Sequence, residues 1–381
     1  MMRLLPLLAC GAASVAPGAR DGVCEAEMPH LRTYFYVGGQ YGRDTDGAHR
    51  MRGQMYVERL LPIDGVTQEW PVVLVHGKGM TGTNFLNTPD GRRGWASDFL
   101  SQGYEVYLVD QALRGRSPWL PPGDANGTEQ WPLPSAFSAE LIQDRFTATR
   151  INKLWPQAGA HTQWPGMGIR GDPVFDAFYA STVQSVADAA LTQRAVQRAG
   201  AALLDRIGRP AILVGHSQGG TLPTLIADAR PALSRALVLL EPAGPPFREA
   251  VFDHRPARAW GLTDSPLTYR PAVRDPARDI VQATRPALSK DHTDCILQAD
   301  EPAPRRLVNL ARKPILVLTA ESSYHARYDH CTVEYLRQAG CSRTQHVELA
   351  KLGIRGNGHM MFLERNSRHI QGVVHQWIQE L

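Results

Sequence analysis

Short continuous apolar runs recur along the chain at residues 71–76, 104–110, 211–215, 236–240 and 314–319. They are rich in β-branched and large aliphatic side chains and do not alternate with polar positions. That pattern predicts strands covered on both faces, as in a parallel sheet buried between helices. Between the runs lie stretches with helical spacing at 95–102, 185–207 and 328–339. Alternation of strand and helix predicts an α/β fold with a mostly parallel sheet. Residues 33–38 and 51–61 read as an antiparallel opening pair, 345–349 as the last strand and 359–381 as a closing helix. The sum is an eight-stranded sheet with helices on both faces.

Two segments interrupt this rhythm. Residues 118–176 are rich in Pro, Gly and aromatic side chains and hold Trp119, Trp131, Trp155 and Trp164. Residues 247–312 are rich in Pro and Arg. Neither reads as an independent domain, so residues 28–381 form one. Both segments leave after the C-terminal ends of strands, where an open α/β sheet binds its ligand. The first reads as a lid or cap, because four tryptophans are costly to leave in water. A surface excursion that merely covers a helix is the alternative.

Charge and composition narrow the classes. The formal net charge is +4, spread along the chain, and arginine exceeds lysine 36 to 5. No basic block is dense enough for nucleic acid. No nucleotide-binding glycine pattern and no metal-ligand set stands out, so no cofactor and no metal are expected. Met1-Met-Arg3 precedes an apolar run and then small residues to Ala19. This fits a secretory leader over residues 1–27 and a periplasmic or extracellular location. Leu7-Leu-Ala-Cys10 is also similar to a lipobox, which would place a lipid anchor on Cys10. A disordered tail on a cytoplasmic protein is the alternative. No later stretch approaches the ~20 apolar residues that cross a bilayer. None of the five cysteines forms a CxxC pair. Cys331 and Cys341, at the two ends of the helix 328–339, are the candidate bridge in an exported chain; buried free thiols are the alternative.

The sharpest chemistry lies in Gly215-His-Ser-Gln-Gly-Gly220, directly after the run 211–214 and before a helical stretch at 221–229. This is the G-x-S-x-G elbow in the context it requires, and it makes Ser217 the candidate nucleophile. A tetrahedral intermediate needs two N–H donors. The backbone amide of Gln218 is the first candidate. The second is the amide of Lys78, in the glycine-rich loop His76-Gly-Lys-Gly-Met-Thr-Gly82. A hydroxyl nucleophile also needs a base. Among 13 histidines, His359 follows the last strand in Gly356-Asn-Gly-His359 and opens the final helix, the order Ser, acid, His that the elbow implies. His325 and His330 come one strand early, and His76 and His216 read as packing or loop-shaping residues. For the acid, Glu241 follows one strand, and Glu321 and Asp329 follow the next, the commoner place. Spacing alone divides Glu241 and Glu321 evenly.

These motifs, with Asp110-Gln-Ala-Leu-Arg-Gly-Arg-Ser117, Leu240-Glu-Pro242, Tyr324-His-Ala-Arg-Tyr-Asp-His330 and Gly356-Asn-Gly-His-Met-Met361, give the chain a family likeness over about residues 30–381. It resembles a branch of bacterial and fungal carboxylesterases of the α/β-hydrolase superfamily. That branch includes an esterase acting on halogenated cyclic esters and the esterase that de-esterifies sulfonylurea herbicides. The resemblance implies an α/β-hydrolase fold with a glutamate after the sixth strand as the acid, which carries over onto Glu241. It also implies frequent export and, in some members, a homodimer whose lid loops reach the partner's site. The segment 247–312 is longer than the branch leads one to expect, which puts the pocket's shape in question. The expected activity is hydrolysis of small to medium, apolar or aromatic esters through a Ser217–His359–Glu241 triad. A lactonase or amidase on the same triad is the nearest rival, because the elbow serves all three. A non-catalytic binding protein of hydrolase shape is the rival from another class. A haloalkane dehalogenase would need Asp in place of Ser217.

Overall fold

All the expected strands form, and together they make one sheet. In chain order they are β1 (His30–Arg43), β2 (His49–Pro62), β3 (Val72–Val75), β4 (Val106–Asp110), β5 (Ala211–His216), β6 (Ser234–Leu240), β7 (Ile315–Thr319) and β8 (Thr344–Glu348). A computed structural model describes residues 25–120, 133–287 and 289–381. The leader up to Cys24, with Cys10, and Trp131 lie outside the described residues. The strand order is β1-β2-β4-β3-β5-β6-β7-β8. β2 runs antiparallel to both its neighbours, and the remaining pairs are parallel.

The continuous apolar runs divide with period two between the sheet's faces. Val73, Val75, Leu213, Leu237, Leu239 and Val317 pack on one side; Val72, Leu74, Ile212, Val214, Val238 and Leu318 pack on the other. Helices cover both. Numbered along the chain, the six that matter here are α1 (Trp95–Ser101), α2 (Pro173–Ala180), α3 (Ala189–Ile207), α4 (Gln218–Ala229), α5 (Asp329–Gln338) and α6 (Ser367–Gln379). α3, α4 and α5 meet the first face through Val196, Leu203, Leu222, Leu225 and Leu336. α1 and α6 meet the second through Trp95, Phe99, Ile370 and Val374. Each such buried side chain contributes about 1.5–3 kcal/mol relative to exposure.

Two helix starts fall several residues later than expected. α3 begins at Ala189 because the Asp188 carboxylate accepts from the Leu191 amide at 2.8 Å and caps it there. The closing helix begins at Ser367, eight residues late. Glu364 is the reason: its carboxylate accepts from the Gly358 amide at 3.0 Å and the Asn357 side chain at 2.7 Å, holding 357–364 as a folded loop.

The cysteine expectation is corrected. The disulfide joins Cys295 to Cys331, with Cα atoms 5.1 Å apart, and Cys341 is a buried free thiol. Cys331 sits near the start of α5 and Cys341 lies beyond its end. Ten residues of helix span about 15 Å, far beyond what a disulfide bridges.

The segment 247–312 carries two small ribbons, Tyr269–Arg270 with Arg306–Leu307 and Gln282–Arg285 with Cys295–Gln298. Residues 133–180 form short helical turns ending in α2 and lie over the C-terminal edge of the sheet. Phe146 there stands 5.2 Å from the His359 ring, centroid to centroid. No described helix is long and apolar enough to cross a membrane.

Candidate active site

Ser217 occupies the turn between β5 and α4 with φ 57° and ψ −125°. That left-handed backbone is rare for a residue with a Cβ and is stored strain. The turn closes only because its neighbours lack side chains: a Cβ on Gly215 would lie 2.1 Å from the Gly219 carbonyl oxygen, and one on Gly219 would lie 2.1 Å from that of His76. The Ser217 amide donates to Leu240 at 2.9 Å, tying the elbow to the end of β6.

The glycine-rich loop after β3 is held against this elbow by Arg114. Its guanidinium donates to the Gly77 carbonyl and to the Gln218 side-chain oxygen, both at 2.9 Å. Burial lowers the pKa of Arg114 to about 10. His76 shapes the same loop, donating from Nδ1 to the Gly77 carbonyl at 2.8 Å and accepting the Gln111 amide at 3.0 Å. Among the described residues, the backbone amides of Lys78 and Gln218 donate no hydrogen bond. Both residues line the same cavity as Ser217 and His359, about 480 Å³ in volume.

His359 is fully buried and hydrogen-bonded to Glu241: Nδ1 donates to Oε2 at 2.5 Å. The contact spans 118 positions of sequence. The Glu241 carboxylate accepts two more bonds, from the Ala320 amide at 2.8 Å and the Ser323 hydroxyl at 2.7 Å. Burial pushes this carboxyl above its ordinary range, and its hydrogen-bond donors pull the other way. Glu241 also has φ 47°, a second strained position beside the elbow. Burial holds the His359 imidazole well below its ordinary value, and His216 and His325 add to this. The ring is therefore neutral near pH 7, with Nε2 the acceptor. The Tyr324 hydroxyl approaches Nε2 at 3.4 Å. Among the described residues the Ser217 hydroxyl makes no hydrogen bond; Ser217 and His359 share the cavity without a formed bond. Such bonds are often long before substrate arrives.

The other candidates sit elsewhere. Glu321 accepts from the Gly356 amide at 2.8 Å and from Arg355 at 2.7 Å, so it holds the loop ahead of His359. Asp329 accepts from Nδ1 of His325 at 3.0 Å and from the Thr319 hydroxyl at 2.7 Å. His216 donates from Nε2 to the His359 carbonyl at 2.9 Å, a packing role of the kind expected. His330 lies beside the disulfide, 3.4 Å from the Cys331 sulfur.

Sequence reasoning passed over Arg114, Ser323, Tyr324 and His325 as contributors. Arg114, Tyr324 and His325 lay inside quoted motifs, which was the only signal available. The tryptophans also fall otherwise than expected. Trp155 packs on Phe252 and Tyr324, Trp164 on Phe178, and neither they nor Trp119 line the cavity. Its aromatic wall is Phe137, Phe146, Phe252, Tyr324 and Tyr328.

Residues 72–371 match the model of the alpha/beta hydrolase family. The chain is 46% identical over 353 residues to a probable secreted lipase, phiG, of a fungal species (strain ATCC 74256), covering 92% of this chain and 90% of that one. Among solved structures, a novel bacterial esterase superposes with a TM-score of 0.62 at 21% identity, over 93% of this chain and 98% of that one. At that identity the likeness is one of fold. The chain belongs to the alpha/beta hydrolase family, and it is a hydrolase of the lipase and esterase type.

Proposed function

We propose that the chain hydrolyses carboxylic esters through an acyl-enzyme on Ser217, with His359 as general base and Glu241 as its acid partner. The observation that carries this is the His359–Glu241 bond of 2.5 Å, opening on the same cavity as a serine held at φ 57°. Ser217 attacks the ester carbonyl while Nε2 of His359 takes its proton. The oxyanion is received by the Lys78 and Gln218 amides, and the N-terminus of α4 beneath favours its charge. His359 then protonates the leaving alcohol, and water repeats the sequence on the acyl-enzyme. Glu241 fixes the tautomer and steadies the imidazolium. Residues 133–180 act as the cap, supplying Phe137, Leu141, Arg145 and Phe146 to the wall. The glutamate after β6 supports the carboxylesterase branch the motifs resemble.

Export is part of the reading. A disulfide persists in oxidising compartments, and the fungal relative is named a secreted lipase.

The test is hydrolysis of 4-nitrophenyl acetate and butyrate, with an aryl phosphonate as covalent probe. The expected result is turnover that stops as the phosphonate adds to Ser217, read by peptide mass spectrometry. Turnover that survives in Ser217→Ala, or a label on another residue, overturns the proposal.

A further inference from the structure

The cavity around Ser217 carries more charge than the expected apolar or aromatic esters require. Lys78, whose backbone amide faces the elbow, also lines the cavity with its side chain. Among the described residues its ammonium makes no ion pair and no hydrogen bond, and Glu249 acts on it only from beyond ion-pair distance. It lies over Phe137, 5.6 Å from the ring centroid. Arg145, from the cap, lines the same cavity. Its guanidinium lies over the Phe252 ring, 3.8 Å from the centroid, and makes no ion pair among the described residues.

The acidic groups of the wall are already engaged. Glu249 accepts from Arg258 at 2.7 Å. Asp264 accepts the Arg258 amide at 2.7 Å and the Gln193 side chain at 3.1 Å. Asp253 faces Arg255 at 3.6 Å. Lys78 and Arg145 are thus left without an ion pair, in a wall of four cationic and three acidic side chains from which water is displaced when substrate enters. Burial lowers the pKa of Lys78, the nearby Arg114 and Arg255 lower it further, and Glu249 opposes them. A half-buried ammonium held among guanidiniums, resting on rings, is stabilised by an anion that arrives with the ligand.

We propose that the preferred substrate is an ester that also bears a carboxylate, and that Lys78 and Arg145 bind that carboxylate and set the specificity. The inference rests on the Ser217 reading and adds a substrate class to it. Lys78 serves twice on this view: its amide faces the oxyanion and its ammonium reads the distant charge.

The experiment compares matched ester pairs at low ionic strength. 4-Nitrophenyl hydrogen adipate against 4-nitrophenyl hexanoate places the carboxylate on the acyl side. 3-(4-Acetoxyphenyl)propionate against its methyl ester places it on the alcohol side. The expected result is a kcat/KM about 10- to 100-fold higher for the anionic member of at least one pair, the size of a charge-assisted hydrogen bond. The preference resides mainly in KM and weakens with added salt. Lys78→Met and Arg145→Gln should each lower this anionic-to-neutral ratio, and Lys78→Arg should retain most of it. Arg145 lies on the cap, so its variant reads the ratio without touching the elbow loop. A ratio near one in both pairs, with neutral esters turned over and Ser217 labelled, overturns this inference and leaves the Ser217 reading standing. Equal losses on both members in Lys78→Met and no change in Arg145→Gln also overturn it, and assign Lys78 to the oxyanion alone. No turnover of any ester and no label on Ser217 overturn both.

Discussion

Two buried histidine–carboxylate pairs lie side by side in this protein, their imidazoles stacked 4.7 Å apart and within 5° of parallel. His359 donates to Glu241 at 2.5 Å, and His325 donates to Asp329 at 3.0 Å. Both rings border the cavity, and burial keeps both neutral near pH 7, His325 down at about 4. They differ in where their partners come from. His325, Tyr328 and Asp329 are neighbours in sequence, and the Tyr328 hydroxyl takes the second nitrogen of His325 at 3.1 Å. The pair is closed on itself. His359 meets a carboxylate from a distant strand end, and among the described residues its second nitrogen has only the longer 3.4 Å contact with Tyr324. The comparison teaches that a buried imidazole with a carboxylate does not make a base. A base also needs its other nitrogen turned toward the group it must deprotonate.

The comparison breaks most cleanly at the residues themselves. Ser217→Ala and His359→Ala should each lower kcat about 10⁶-fold, whereas His325→Ala should lower it about tenfold, by loosening the stack. Steady-state kinetics on one chromogenic ester decides this, and a deeper loss in His325→Ala would exchange the roles of the two pairs. Next come the acids. Glu241→Gln should lower kcat about 10⁴-fold through the wrong tautomer. Asp329→Asn and Glu321→Gln should stay within about tenfold. A dead Glu321→Gln beside an active Glu241→Gln would reverse the assignment.

The closed pair can be loosened through its scaffold. Cys331 shares α5 with Asp329, and its disulfide spans 36 positions. Replacing both Cys295 and Cys331 by Ser should lower unfolding stability by about 3–4 kcal/mol, while the KM of the remaining folded enzyme stays close to the original. Urea titration and kinetics on the same samples separate the two effects.

Titration gives the smallest and most general signal. The proposed base must be neutral to act, and His359 is held below the ordinary 6.5. The acid limb of kcat/KM should therefore fall below pH 6.5, not above it. Stability follows the same sign. His76 and His216 are both pushed to about 3 by burial. The unfolded chain binds their protons first, at its ordinary value of about 6.5. Their contribution is complete above that value and is lost as pH falls, by about 1.4 kcal/mol per pH unit for each histidine. Urea midpoints from pH 7 to pH 5 measure it, and a flat profile would show that these rings are charged in the folded state.

The order of strands along the chain, the elbow at Ser217 and the place of His359 can be read from the residues alone. Those are local facts: unbroken apolar runs demand a sheet covered on both faces, and glycines around a serine permit one tight turn. Glu241 and Glu321 divide evenly on spacing, because each follows a buried strand. Only the tertiary structure decided which of them the His359 ring meets, since adjacent parallel strands bring their ends together whatever their separation in the chain. The same holds for Cys295 and Cys331, and for Arg114, which binds two loops over a hundred residues apart. The cavity's charge was equally hidden. Lys78 and Arg145 come from different segments, and only folding shows that neither makes an ion pair among the described residues.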